Sequence, residues 1–248
     1  MKRIVLQFVA AFLLFTSGAS QDASADSVTG AGKPPSGNET ARSYYQQSLR
    51  WLDSLPDTAL FYANQAELIL MKDDPGQQLP SLFKLKGRIY KNMNVPSRSL
   101  LYYRKAYDEY IKLENQQEIG SCALELGDLY YEWADFSEAY YFYMHSLNAY
   151  EQVGERSGIA KMENKLGMVA HEMGKLQEAE RHYLNSLEIY RDLGSIPDQC
   201  RSLNNIGLIL FDRQAFDSAL YFFIEAIDLL YSSKEGPDHN LSILSGLY

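Results

Sequence analysis

The 248-residue chain is poor in cysteine and histidine, with two of the first and four of the second, and has no basic surplus. Each scarcity removes a class of function. Lys and Arg number 23 against 32 Asp and Glu, a formal net charge of -9 at pH 7. Sequence-independent nucleic-acid binding needs a dense field of cations, and so does adhesion to an anionic membrane surface. Neither is expected of this chain. His145, His171, His182 and His239 form no His-Glu-x-x-His motif, and no Cys/His spacing suits zinc. The glycines of the patterned region stand singly, so no loop cradles a phosphate. No catalytic residue, metal site or cofactor is therefore assigned. Long apolar runs are scarce too. The one at Ile4 to Phe15, broken by Gln7, falls short of the about 20 residues that span a bilayer.

That run follows Met1-Lys2-Arg3 and precedes Thr16-Ser17-Gly18-Ala19, the three-part layout of a secretory signal peptide over residues 1–19. Export to a periplasmic or extracellular space is expected. Residues 20–41 are small and polar, with Val28 as the one large aliphatic, and read as a flexible linker.

From Arg42 apolar residues recur at helical spacing, without long period-2 alternation. The pattern repeats every 40 residues. Gly87, Gly127, Gly167 and Gly207 form one column; Ala59, Ser99, Ala139, Ala179 and Ala219 form another. Ala66, Ala106, Ser146, Ser186 and Ala226 form a third small column. Tyr103, Tyr143, Tyr183 and Phe223 hold an aromatic, with Ala63 in the first copy; Leu70, Tyr110, Tyr150, Tyr190 and Leu230 hold a large apolar group. Five columns in one register predict five repeats, at about 42–72, 80–112, 119–152, 159–192 and 199–231.

Each copy divides into two helices. In the third, helix A is expected over about 120–133, a turn at Ala134-Asp135-Phe136, and helix B over about 138–152 with Ser137 as its cap. Gly174 suits a left-handed helix end in the fourth copy. Breaks are expected at Asp73-Asp74-Pro75-Gly76, Val153-Gly154-Glu155, Leu193-Gly194-Ser195 and Glu235-Gly236-Pro237-Asp238. The small columns let helix A approach helix B, the aromatic fills the wedge, and stacked neighbours complete the core. In such a stack helices lie about 8–10 Å apart, so Cys122 and Cys200, two repeats removed, stand roughly 20 Å apart. A disulfide needs Cα atoms within about 7 Å. The thiols are expected buried or idle, with Cys200 the candidate for an intermolecular bond.

Leu126-Gly127, Tyr130, Ala139, Tyr143 and Ser146 resemble the tetratricopeptide repeat, as do Leu166-Gly167, Ala179, Tyr183, Ser186 and Ile206-Gly207, Ala219, Phe223, Ala226. The family's usual period is 34. The longer one here, with Asn-Lys-Leu-Gly at 164–167 and Asn-Asn-Ile-Gly at 204–207, resembles the 40-residue subtype of kinesin light chains, LGN-like adaptors and bacterial maltose-activator-type regulators. The first copy departs from it, with Gln47 at the glycine position and Arg50 at an aromatic one. Residues 232–248 read as a loop and the start of a sixth repeat, with Ser245-Gly246-Leu247-Tyr248 as its trace. A unit cut there suggests a longer natural protein and an end that could self-associate.

The resemblance implies an all-α, right-handed superhelical solenoid of antiparallel helix pairs. It also implies that helix A lines a concave groove holding a protein or peptide. On that face it places Lys84, Arg88, Lys91, Glu125 and Asp128, then Lys161, Asn164, Lys165 and His171, then Arg201, Asn204 and Asn205. An Asn amide both donates and accepts, so Asn164 and Asn204 are candidate rungs for an extended backbone. Lys84, Arg88, Lys161 and Lys165 sit where some relatives clamp a C-terminal carboxylate, but Glu125 stands where that clamp has Asn. The function expected is a non-catalytic interaction scaffold. The alternative is the sensor region of a longer signalling protein, a membrane histidine kinase or transcription regulator. No nucleic acid and no membrane contact by the mature repeats are expected.

Overall fold

A computed structural model of the protein describes residues 36–72 and 78–232. The expected signal peptide (1–19), most of the linker, the breaks at Asp73–Gly76 and Glu235–Asp238 and the trace of a sixth repeat lie outside the described residues. Those described form α1 (Gly37–Trp51), α2 (Pro56–Leu70), α3 (Gln78–Asn92), α4 (Pro96–Lys112), α5 (Gln116–Glu132), α6 (Phe136–Val153), α7 (Arg156–Glu172), α8 (Leu176–Leu193), α9 (Ile196–Asp212) and α10 (Phe216–Ser232). Odd-numbered members are the A helices and even-numbered ones the B helices. Packing is closest within each pair and next closest between a B helix and the following A helix. This is the all-α solenoid of helix pairs that the columns predict.

The spacing within a pair is set by one contact. A Cβ built on Gly127 would lie 2.5 Å from the Tyr143 ring, and on Gly167 2.6 Å from Tyr183. Real Cβ atoms do not approach so closely, so only glycine lets the ring lie flat on the backbone of helix A. A small residue then ties the helices from the other side: the Ser99 hydroxyl donates to the Gly87 carbonyl at 2.9 Å, and Ser146 to Gly120 at 2.7 Å. The first pair solves the problem differently. Ser48, not Gln47, takes the close-contact slot; it is fully buried and donates to the Ala59 carbonyl at 2.8 Å. The departure at Gln47 is thus a one-residue shift of helix A.

The turns repeat as strictly as the core. Asn94, Ala134, Gly174 and Gln214 end the A helices with positive φ, and Glu114, Gly154 and Gly194 end the B helices in the same way. After each, the next N–H reaches back five residues, as Asp135 does to the Tyr130 carbonyl at 3.0 Å and Glu155 to Tyr150 at 3.0 Å. This is the left-handed helix stop that satisfies otherwise orphaned carbonyls. Gly174 was legible as one; the equivalent non-glycine positions were not.

Helix starts lie upstream of where the pattern puts them. Asp135 rather than Ser137 caps α6, accepting from the Glu138 N–H at 3.3 Å, so α6 begins at Phe136. Asn115 caps α5 in the same way. The first repeat starts at Gly37 rather than Arg42, because Ser36 and Glu39 form a reciprocal capping box. Residues 37–41 are therefore helix, not linker. At the other end of the described residues Ile227 is 45% exposed, whereas Leu147 and Leu187 at the same position are buried under the next repeat.

Cys122 and Cys200 are both free and buried. Burial pushes the Cys122 thiol up to about 12 and Cys200 up to about 11. The Cys200 thiol faces the Ala226 carbonyl at 3.4 Å inside its own repeat, so it is not placed for the intermolecular bond considered above.

Two stability predictions follow from these contacts. Gly167→Leu should cost about 1–3 kcal/mol by overpacking against Tyr183; an unchanged urea midpoint would contradict the ring-on-backbone contact. Ala134→Gly should stabilise by about 1 kcal/mol, because the left-handed conformation disfavours any Cβ. A lower melting temperature in that variant would count against the turn geometry.

Candidate functional site

Helix A of each repeat presents polar residues beside those of the next helix A, and the structure connects them. Arg88 of α3 approaches Asp53 at 4.0 Å. Lys84 pairs with Glu118 at 2.6 Å and Lys91 with Glu125 at 2.9 Å, both from α3 to α5. Lys165 of α7 pairs with Asp128 of α5 at 3.0 Å. The Tyr131 hydroxyl donates to Glu172 at 3.3 Å, and His171 meets Asp212 of α9 at 2.6 Å. These partly exposed pairs contribute roughly 0–1 kcal/mol each. Their effect is on register and on charge: most of the face neutralises itself.

The expected ligand residues divide accordingly. Lys84 and Lys165 are occupied by Glu118 and Asp128. Arg201 is held by Asp198 of its own helix at 2.8 Å. Glu125, where that clamp has Asn, is paired with Lys91. Arg88 is exposed with only its long contact to Asp53, and Lys161 is exposed with no ion pair. Asn164 is the clearest correction. It is not a free rung but 6% exposed, donating to the Ser202 hydroxyl at 3.3 Å and accepting from Asn205 at 3.5 Å. The following repeat stacks on it and turns its amide inward. Asn204, at the equivalent position, is only partly covered, as is Asn205. Among the described residues Asn204 and Lys161 thus have no polar partner and Arg88 only its long one, with exposed Leu208 and Phe211 on α9.

Tyr143 links this face to the core. Its hydroxyl donates to Asp128 at 2.7 Å, the carboxylate that also holds Lys165. Burial and the Asp128 charge push its phenol well above the usual range. Tyr45 of α1 is also raised, by burial and by Glu118, with Arg88 opposing. Two buried polar pairs had gone unread. Lys86, 2% exposed, pairs with Glu67 at 2.5 Å and lies 4.5 Å from the Tyr102 ring centroid. His182, also buried, has Nδ1 at 2.6 Å from Glu163 and Nε2 at 3.9 Å from Glu178. Among the described residues no group of three or more His, Cys, Asp and Glu is placed to hold a metal ion. Nor is any described helix long and apolar enough to cross a membrane.

Comparison with known proteins agrees with this fold. Residues 158–232, the fourth and fifth repeats, match the family model "Tetratricopeptide repeat". The solved apo form of RapI shares the fold at a TM-score of 0.73 and 16% identity, over 81% of this chain and 56% of that one. A kinesin light chain of Podosopora anserina, described as having nearly identical TPR-like repeats, matches at 0.66 and 13%, over 79% of this chain and 97% of its own. A Rap protein complexed with Competence and Sporulation Factor matches at 0.61 and 16%, over 79% of this chain and 56% of its own. The chain therefore spans a little over half the length of these Rap proteins. At such identities the likeness is one of fold. No curated sequence is significantly similar.

Asp128 is the residue on which face and core meet. Asp128→Ala should cost about 1.5–3 kcal/mol, the range for hydrogen bonds to a charged group. Lys165→Ala, which breaks the partly exposed pair and a long cation–π contact with the Tyr143 ring, should cost about 0–1 kcal/mol. Equal urea midpoints for the two variants would show that the Tyr143 bond has no special weight.

Proposed function

We propose that this array of tetratricopeptide repeats is a non-catalytic scaffold whose A-helix face holds an extended segment of another protein. One observation carries the reading. On a face that otherwise pairs its own charges, Asn204, Lys161 and Arg88 keep polar groups without a close partner among the described residues, and Leu208 and Phe211 expose apolar surface beside Asn204. An amide offers a donor and an acceptor together, which suits a peptide backbone. Because Lys84 and Lys165 are already satisfied, a strongly acidic ligand has to compete with Glu118 and Asp128. Recognition is accordingly read as resting on backbone and apolar contacts more than on charge. The solved Rap complex with Competence and Sporulation Factor supports the fold's use in holding another molecule. With residues 1–19 read as a secretory signal, the segment is met outside the cytoplasm.

The test uses the full chain as bait for a displayed random-peptide library, followed by calorimetric titration of an enriched peptide. The double variant Asn204→Ala, Asn205→Ala should weaken that peptide by about tenfold, close to 1.4 kcal/mol. Arg104→Ala on α4 should leave it unchanged. Failure of any peptide to enrich, or equal affinity for the double variant, overturns the reading.

A further inference from the structure

The first repeat contains a slot that repeats 2 to 4 fill from within. In repeats 2 to 4 the wedge between one A helix and the next is taken by Tyr110, Tyr150 and Tyr190. The Tyr150 ring lies against Gly120 and Gly158 so closely that an added Cβ would fall 2.9 and 2.7 Å from its atoms. The Tyr110 hydroxyl reaches the Ser81 hydroxyl at 3.0 Å. Burial pushes all three phenols up to about 12. In the first repeat this column holds Leu70, which has neither the ring nor the reach. A cleft of about 280 Å³ remains between α1, α2 and α3, floored by Ala66, Leu70 and Leu82. That is near the lower end of ligand-sized pockets, roughly 300 Å³.

The wall of this cleft tells what its occupant carries. Arg42 and Gln46 line it, both exposed, and Arg42 makes no hydrogen bond or ion pair among the described residues. The one-residue shift of α1, which brings Ser48 into the glycine slot, also brings Arg42 to the place that Ser81 holds in the second repeat. Ser81 is the residue that meets the polar tip of Tyr110. An unpaired guanidinium therefore stands where the polar end of an inserted ring belongs. Tyr45 adds a further aromatic wall.

We propose that this slot binds an aromatic side chain bearing or adjoining a carboxylate, supplied by a partner. Its ring takes the place that Tyr110 and Tyr150 occupy in their repeats, and its carboxylate meets Arg42. The slot lies on α1 to α3, away from Asn204 and Asn205. It extends the peptide-holding reading, and a single amino-acid derivative probes it separately from any extended segment.

The probe is N-acetyl-phenylalanine, titrated into the full chain with methyl NMR of Ala41, Ala66, Leu70 and Leu82 as readout. The expected result is a saturable shift of these methyls, with N-acetyl-phenylalaninamide bound about fivefold more weakly, under 1 kcal/mol for an exposed charge pair. Arg42→Gln, at an exposed position, should erase the difference between acid and amide. Leu70→Tyr should fill the slot from within, abolish binding and raise the melting temperature. Unshifted methyls, equal binding of acid and amide to the unaltered chain, or undiminished binding by a folded Leu70→Tyr protein would each overturn the proposal. Should Leu70→Tyr not fold, the Arg42→Gln comparison decides alone. Loss of the enriched peptide with this slot still active would refute only the groove.

Discussion

The contact on which the structure depends is an aromatic ring laid flat on the backbone of a glycine. Tyr103 on Gly87, Tyr143 on Gly127, Tyr183 on Gly167 and Phe223 on Gly207 repeat it four times. It fixes how closely helix B approaches helix A, and so where the next helix A can stack. Truncating a buried aromatic of this kind typically costs about 3–5 kcal/mol. The neighbouring small residues serve the same end, since a hydroxyl such as that of Ser146 can reach the Gly120 carbonyl only when the helices are this close. A stack that depends on neighbour contacts alone has its stability distributed along it.

Once the spacing is fixed, the polar face follows. Consecutive A helices stand near enough for Lys84 to reach Glu118, Lys91 to reach Glu125 and Lys165 to reach Asp128. The Tyr143 ring brings its hydroxyl to the same Asp128. Packing and electrostatics are thus joined at one carboxylate. A face made this way holds its own register and offers little net charge, which shifts recognition to amides, apolar side chains and the few cations left over.

The columns were legible because a period of 40 forces equivalent residues into equivalent surroundings. Gly127 and Tyr143 could be matched without knowing any distance. What the columns could not show was coverage: Asn164 and Asn204 occupy the same position, but Asn164 is buried with its amide on Ser202 of the following repeat, whereas Asn204 is only partly covered. Nor could a repeat unit show a local shift, so Ser48 was hidden behind Gln47. Left-handed turns were visible at glycines and invisible at Glu114, Ala134 and Gln214, where the backbone geometry is the same and the residue type carries no sign of it, while Asn94, of a type that tolerates this conformation, carried only a weak one. The buried charges had left a signal. Lys86 interrupts a column of Leu126, Leu166 and Ile206, and Glu67 interrupts one of Tyr107, Leu147 and Leu187. Two polar exceptions in adjoining apolar columns are expected to meet, and they do. His182 among Tyr102, Phe142 and Phe222, with Glu163 among Phe83, Ala123 and Leu203, is a second such case.

Exceptions to a repeat therefore fall into two kinds, and the difference bears on function. Lys86 with Glu67, and His182 Nδ1 with Glu163, close on each other, while His182 Nε2 stays buried without a hydrogen bond among the described residues, 3.9 Å from Glu178. Leu70 and Arg42 do not close. The smaller side chain leaves space where Tyr110, Tyr150 and Tyr190 fill it, and the arginine beside that space has no partner among the described residues. A buried polar group without a partner is costly, and evolution of a stack confines such groups to pairs. An exposed cation at the mouth of an unfilled cleft carries no such penalty and can be kept for another molecule. Where the repeat is broken without compensation, its unmet contacts describe what is missing: here a ring, and beside it a negative charge.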